Sequence, residues 1–170
     1  MSTLIVYESM WGNTRAVAQA VAEGLGPDVQ VVHVADAPVP VPDDVDLLVV
    51  GWPTHAFSLT RPSTRRDAVA KGAPEAATER GVREWLSELE PSDHIDVATF
   101  DTRVGSVRHL PGSAAKAAGK EVRRHHLGRL VATASFYVDD MAGPLLPGEV
   151  DRARAWGADL AAQRTGRRST

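Results

Sequence analysis

The chain has 170 residues, enough for one ordinary hydrophobic core and too few to favour two. A hydrophobic fraction of 43% beside 24% charged residues is that of a water-soluble globular domain, and a formal charge of -3 gives nucleic acid no electrostatic footing. The absence of cysteine excludes disulfides, thiolate metal sites, iron–sulfur clusters and cysteine nucleophiles.

Met1-Ser2-Thr3-Leu4 lacks the charged start and apolar run of a signal peptide, and no apolar stretch nears the ~20 residues that span a bilayer. The expectation is a cytoplasmic protein without a membrane span. Thr3-Leu4-Ile5-Val6-Tyr7 is short and β-rich and reads as a buried strand. From Thr14 to Leu25, Val17, Ala18, Val21, Ala22 and Leu25 recur at helical spacing, and Gly26-Pro27 ends the helix. Val29 to Val34 reads as a second strand. The prolines of Ala37-Pro38-Val39-Pro40-Val41-Pro42 forbid a full backbone ladder, so this is an extended connection. Val45 to Gly51 is apolar at its heart and predicts a central strand.

Residues 52 to 80 carry Pro53, Pro62, Gly72 and Pro74, which punctuate any helix, and predict the least regular part of the chain. Gly81 to Leu89 reads as a short helix, Ile95 to Phe100 as a fourth strand, Ala114 to His126 as a helix and Leu130 to Phe136 as a fifth strand. A last helix is expected from Glu149 to Gln163, with Val150, Ala153, Trp156, Gly157 and Leu160 on one face. Residues 1–163 then form a single domain, and the tail 164–170, with nothing to bury, is expected to be disordered. Strands alternating with helices predict an α/β doubly wound parallel sheet of five strands in the order 2-1-3-4-5. Ligands in such sheets sit outside the carboxyl ends of the strands, which directs attention to the loops 8–14, 52–66 and 101–112.

The first of these, Glu8-Ser9-Met10-Trp11-Gly12-Asn13-Thr14, lies between a buried strand and a helix. Ser9 and Thr14 offer hydroxyls, Asn13 offers an amide, and Gly12 lets the backbone curl so that successive N–H groups face one point. The helix behind adds roughly half a unit of positive charge, so an anion is satisfied there without a lysine. The plain alternative is a strand-to-helix turn in which Ser9 or Asn13 caps the helix.

Val6-Tyr7-Glu8-Ser9-Met10-Trp11-Gly12-Asn13-Thr14 resembles the FMN phosphate loop of flavodoxins, commonly T/S-x-T/S-x-N/x-T. The third slot holds Trp11, so one side-chain donor is missing. This variant is similar to the loop of flavodoxin modules in flavodiiron proteins and in actinobacterial flavodoxin-family proteins. The resemblance extends over most of the chain in topology and is close over 4–22, 45–57 and 143–161. It implies a flavodoxin-like fold and FMN as cofactor, with Ser9, Met10, Trp11, Gly12, Asn13 and Thr14 around the phosphate.

By the same resemblance, Gly51-Trp52-Pro53-Thr54-His55-Ala56-Phe57 lies against the isoalloxazine ring. Trp52, His55 and Phe57 are candidates to stack, Pro53 stiffens the loop, and Thr54 can bond the ribityl chain or the flavin edge. The alternative is that Trp52 and Phe57 cover the sheet edge. The loop after strand four resembles the one that meets the flavin pyrimidine, with Asp101 and Thr102 as candidates. Arg103 there would favour the anionic reduced flavin, and Asp101 would oppose it, unless both are solvated loop charges. Arg61, Arg65 and Arg66 stand beside that edge, either to receive an anionic substrate or nicotinamide phosphates, or merely solvated. Lys120, Arg123, Arg124, His125 and His126 end a helix and offset its dipole.

Other constellations fail. Gly112 to Glu121 has the wrong glycine spacing for a nucleotide P-loop and reads as helix. There is no G-x-S-x-G, no H-E-x-x-H, and the histidines show no metal-ligand spacing. A phospho-accepting receiver domain shares the topology but needs a carboxylate after strand three, where Gly51-Trp52-Pro53 stands. Three roles stay open: an FMN-dependent NAD(P)H:quinone-type oxidoreductase, an electron carrier serving a redox partner protein, and a binding or regulatory module with a weak or vacant flavin site.

Overall fold

The computed structural model describes residues 2–54, 59–75, 79–107 and 114–167. Five parallel strands, β1 (Ser2–Tyr7), β2 (Val29–His33), β3 (Val45–Pro53), β4 (Asp96–Val104) and β5 (Arg129–Val138), form one sheet in the order β2-β1-β3-β4-β5. The α/β class and the strand order are those expected. Helices α1 (Asn13–Leu25), α2 (Pro62–Ala70), α3 (Val82–Glu88), α4 (Ala114–Arg124) and α5 (Glu149–Arg167) connect or follow the strands.

The apolar runs of the central strands are continuous because both sheet faces are covered. Side chains alternate across the pleat. Ile5, Leu47, Val49, Phe100 and Phe136 pack with Val17, Val21, Ala153 and Leu160 of α1 and α5. Leu4, Val6, Leu48, Val50 and Trp52 pack on the other face with Trp85 and Leu86 of α3 and Val122 of α4. On the α1 side, Trp156 meets Phe100 and Phe136 edge-on, with ring centres 6.2 and 6.1 Å apart.

Several boundaries differ from expectation, and these bear on the site or the packing. Strand β3 continues through Trp52 and Pro53, and β4 continues through Asp101, Thr102, Arg103 and Val104, because the two pair with each other up to Pro53 and Thr102. The stretch thought least regular contains α2. Its Pro62 is a starter rather than a breaker, since the missing N–H at a helix's first position costs no bond. Helix α5 runs past Gln163 to Arg167, and Arg164 has partners after all: it donates to Thr3 Oγ1 (2.7 Å) and pairs with Asp46.

Helices α1 and α5 touch backbone to backbone. A Cβ on Gly157 would lie 2.2 Å from the Val21 carbonyl oxygen, and one on Gly24 would lie 2.0 Å from that of Arg154. Gly157→Ala must therefore push the helices apart. We expect a loss of about 1–3 kcal/mol in stability, read as a lower midpoint in urea unfolding with little change in slope.

Candidate functional site

The site is built where β1 turns into α1. Glu8 continues the ladder by donating its N–H to the Gly51 carbonyl (2.9 Å), and Glu8, Ser9 and Met10 are buried. Gly12 then adopts φ 88°, a left-handed conformation that side chains resist, and the helix begins at Asn13. The first intrahelical bond runs from the Ala16 N–H to the Gly12 carbonyl (3.0 Å). The N–H groups of Asn13, Thr14 and Arg15 precede it and need acceptors from elsewhere. Among the described residues no side-chain hydrogen bond caps this end, and its first turn holds no acidic residue. The capping alternative is therefore not what the structure shows: Ser9 Oγ accepts from the Gly12 N–H (3.1 Å), inside the bend, and Asn13 Nδ2 donates to the Ala142 carbonyl (3.1 Å).

A narrow cleft opens beside this bend. Of the residues expected at the flavin, Met10, Trp11, Asn13, Thr14, Pro53, Thr54, Thr102 and Arg103 line it together. Val104, Val138 and Met141 complete the wall. The Thr14 and Thr102 hydroxyls meet across it at 2.7 Å, tying the start of α1 to β4. Ser9 and Gly12 shape the bend without lining the cleft.

Other expected residues lie elsewhere. Trp52 is fully buried among Val50, Leu59 and Trp85, so its indole belongs to the core and is not placed to stack on a ring in the cleft. The odd–even alternation of β3 is the cause, since it turns Trp52 to the same face as Val50 and Leu48. Asp101 is fully buried too. Its Oδ2 accepts from Thr54 Oγ1 (2.6 Å), while Thr54 N–H donates to the Thr102 carbonyl (2.8 Å), so Asp101 positions Thr54. Neither Asp101 nor Arg103 is a solvated loop charge. Arg103 is 7% exposed, and its guanidinium carbon sits 5.6 Å from the centre of the Tyr137 ring. His55 and Phe57 lie outside the described residues.

Sequence reasoning passed over a buried charge cluster behind the loop. Glu8 Oε1 accepts from Thr60 Oγ1 (2.5 Å) and Oε2 from the Val82 N–H (2.9 Å). Arg65, fully buried, donates to Thr60 Oγ1 (3.2 Å) and pairs with Glu84 Oε2 (3.1 Å). Arg65 is thus unavailable to an anionic substrate, whereas Arg61 and Arg66 are exposed. Burial pushes the Glu8 carboxyl above its ordinary range, and the bonds from Thr60 and Val82 and the Arg65 charge pull back against it. Glu75 was also missed: it forms an ion pair with Arg15 (2.9 Å) at the start of α1. No pattern in the sequence marks either residue, because both partners come from remote segments.

Among the described residues there is no group of acidic and histidine side chains able to hold a metal, and no helix long and apolar enough to cross a membrane.

The fold and the cleft define a class, a flavodoxin-like α/β protein. The family model for flavodoxin matches residues 5–61, which run from within β1 through the Gly12 bend, α1, β2 and β3 to the start of the segment after it. An archaeal flavodoxin structure superposes with a TM-score of 0.62 at 17% identity, covering 96% of this chain and 98% of that one. A flavodoxin from Streptococcus pneumoniae TIGR4 gives 0.62 at 18%, over 96% and 99%. The two-electron reduced flavodoxin of Megasphaera elsdenii gives 0.58 at 20%, over 92% and 98%. No curated protein sequence matches. The chain is flavodoxin-like in family resemblance and in sheet order.

Removing the cation of the buried cluster tests its role. Arg65→Met leaves Glu8 enclosed with hydroxyl and amide donors alone, and we expect a loss of about 3–5 kcal/mol. The sign with pH follows from the raised Glu8 pKa. Without Arg65 it rises further, so the ionised form is penalised more in the folded state and the loss grows as pH rises through it. Urea unfolding from mildly acidic to mildly alkaline pH reads this. A loss that stays constant would show Glu8 unaffected.

Proposed function

We propose that the chain is an FMN-binding redox protein that holds the flavin phosphate at residues 9–14 and the ring system in the adjoining cleft. The observation that carries the reading is the open start of α1. The donors of Asn13, Thr14 and Arg15 have no side-chain cap among the described residues, Gly12 is bent to present them, and Asn13 and Thr14 line the cleft. A phosphate supplies the acceptors this helix end lacks, and the Thr14 hydroxyl is available to turn toward it. Pro53, Thr54, Thr102 and Arg103 would hold the ring. When bound, FMN supplies electron-transfer chemistry, and the protein sets potential, access and partner choice. Arg103 contributes a nearly buried positive charge beside a ring that gains negative charge on reduction.

Two redox roles fit: an oxidoreductase that passes electrons from a reduced donor such as NAD(P)H to a quinone-like or protein acceptor, and a carrier between partner proteins. The near balance of 19 basic and 22 acidic residues favours the first, because charge-steered carriers dock through a strong imbalance. The similarity to a flavodoxin determined in its two-electron reduced form supports redox chemistry in either case. A binding or regulatory module with a weak flavin site is favoured by one feature. Ser9, Asn13 and Thr14 already have partners within the protein, so a phosphate must compete for them.

Added FMN should stay with the protein through gel filtration and give it a visible flavin band. Thr14→Ala should weaken FMN by about 1.5–3 kcal/mol, the worth of a bond to a charged group, and riboflavin far less. Free elution of FMN from the wild-type protein would sink the reading. Steady NAD(P)H oxidation with a quinone then separates the oxidoreductase from the carrier.

A further inference from the structure

Helix α1 carries a cation where helices ordinarily carry an acid. Arg15 is in the first turn, whose dipole repels positive charge, and no acidic residue accompanies it there. The missing negative charge arrives from beyond α2. The Glu75 N–H donates to the Met10 carbonyl (3.1 Å), which fixes this segment against the phosphate loop. Glu75 Oε1 then pairs with Arg15 Nη1 (2.9 Å) and lies 3.5 Å from where a Cβ on Gly12 would stand. Oε2 is shielded from water and has no hydrogen-bond partner among the described residues. The Glu75 side chain is mostly buried and Arg15 half exposed, so water screens the carboxylate less than it screens its partner.

We propose that Glu75 is the resident counter-anion of the phosphate loop: it stabilises the loop when empty, opposes an arriving phosphate dianion, and so sets how tightly the site holds its ligand. The inference rests on the FMN reading above and deepens it. Two negative groups at one helix end repel each other, and a single Arg15 cannot fully compensate both. Oε2 has no partner among the described residues, so moving the carboxylate aside costs the Arg15 pair alone, whereas the backbone bond to Met10 returns it when the ligand leaves.

This arrangement has a signature that a purely structural residue lacks. Glu75→Gln keeps the shape and the backbone bond but removes the charge. It should weaken the empty protein and strengthen the loaded one at the same time. FMN and riboflavin, which differ only by the phosphate, are titrated by flavin fluorescence against wild type, Glu75→Gln and the surface variant Arg15→Gln, at low and high salt. Glu75→Gln should bind FMN roughly three- to tenfold more tightly, with riboflavin unchanged and the gain shrinking at high salt. Its ligand-free form should melt at a lower temperature, and Arg15→Gln should bind FMN more weakly. If wild type prefers FMN to riboflavin but Glu75→Gln binds FMN no more tightly, the role given to Glu75 is wrong and the flavin reading stands. If wild type binds neither flavin, or both alike, that reading and this inference fall together.

Discussion

A carboxylate without access to water closes the amino side of the bend between β1 and α1. Glu8 is 1% exposed, and everything around it is arranged so that its charge can be tolerated: a hydroxyl from Thr60, an amide from the start of α3, and Arg65 held in turn by Glu84. Burying ions gains little net stability, but removing one member of such a set leaves the others stranded. The cluster thus acts as a requirement on geometry. The end of β1, the segment at Thr60 and the first turns of α2 and α3 must all meet at one point, and the bend at Gly12 follows directly after it.

The parallel sheet supplies the rest of that geometry. Because all strands run the same way, the ends of β1, β3 and β4 open on a single edge, where Thr14, Thr54 and Thr102 converge. Asp101, buried in β4, steadies Thr54 from behind, much as Glu8 steadies Thr60. The two carboxylates face no ligand, yet each fixes a hydroxyl-bearing residue at one end of the segment that follows β3. The polar chemistry of the site is therefore supported by acids from the sheet's interior, an unusual place to find them.

The frame of the molecule was legible in the sequence because its strands are buried on both faces and its helices α1 and α5 keep a strict apolar stripe. The α/β class followed from alternation, and the strand order from taking the sheet to be of flavodoxin type. What misled was punctuation. Pro53 reads as an end, yet it closes β3 while still opposite Thr102 of β4; Pro62 reads as a breaker, yet it opens α2. At the site, the bend over residues 9–14 was visible because its residues are contiguous, while the placement of Trp52 was not. An aromatic at the end of a strand serves the core or the cleft according to pleat parity, and ending β3 at Gly51 left the parity of Trp52 unread. Arg65 was given an anion-receiving role it is too buried to play, and Glu75 and Met141 were passed over, for a different reason. Their roles arise from tertiary neighbours far away in the chain, which no local pattern announces.

The close seating of α5 on α1 ties remote parts of the chain to one another. The surface on which α1 rests is contributed in part by Ala153, Gly157 and Leu160, and Arg164 clips α5 to Thr3 and Asp46. A cut in the chain ahead of Glu149 would therefore strip the helix behind the Gly12 bend of its main support, although no residue of the bend itself would be lost.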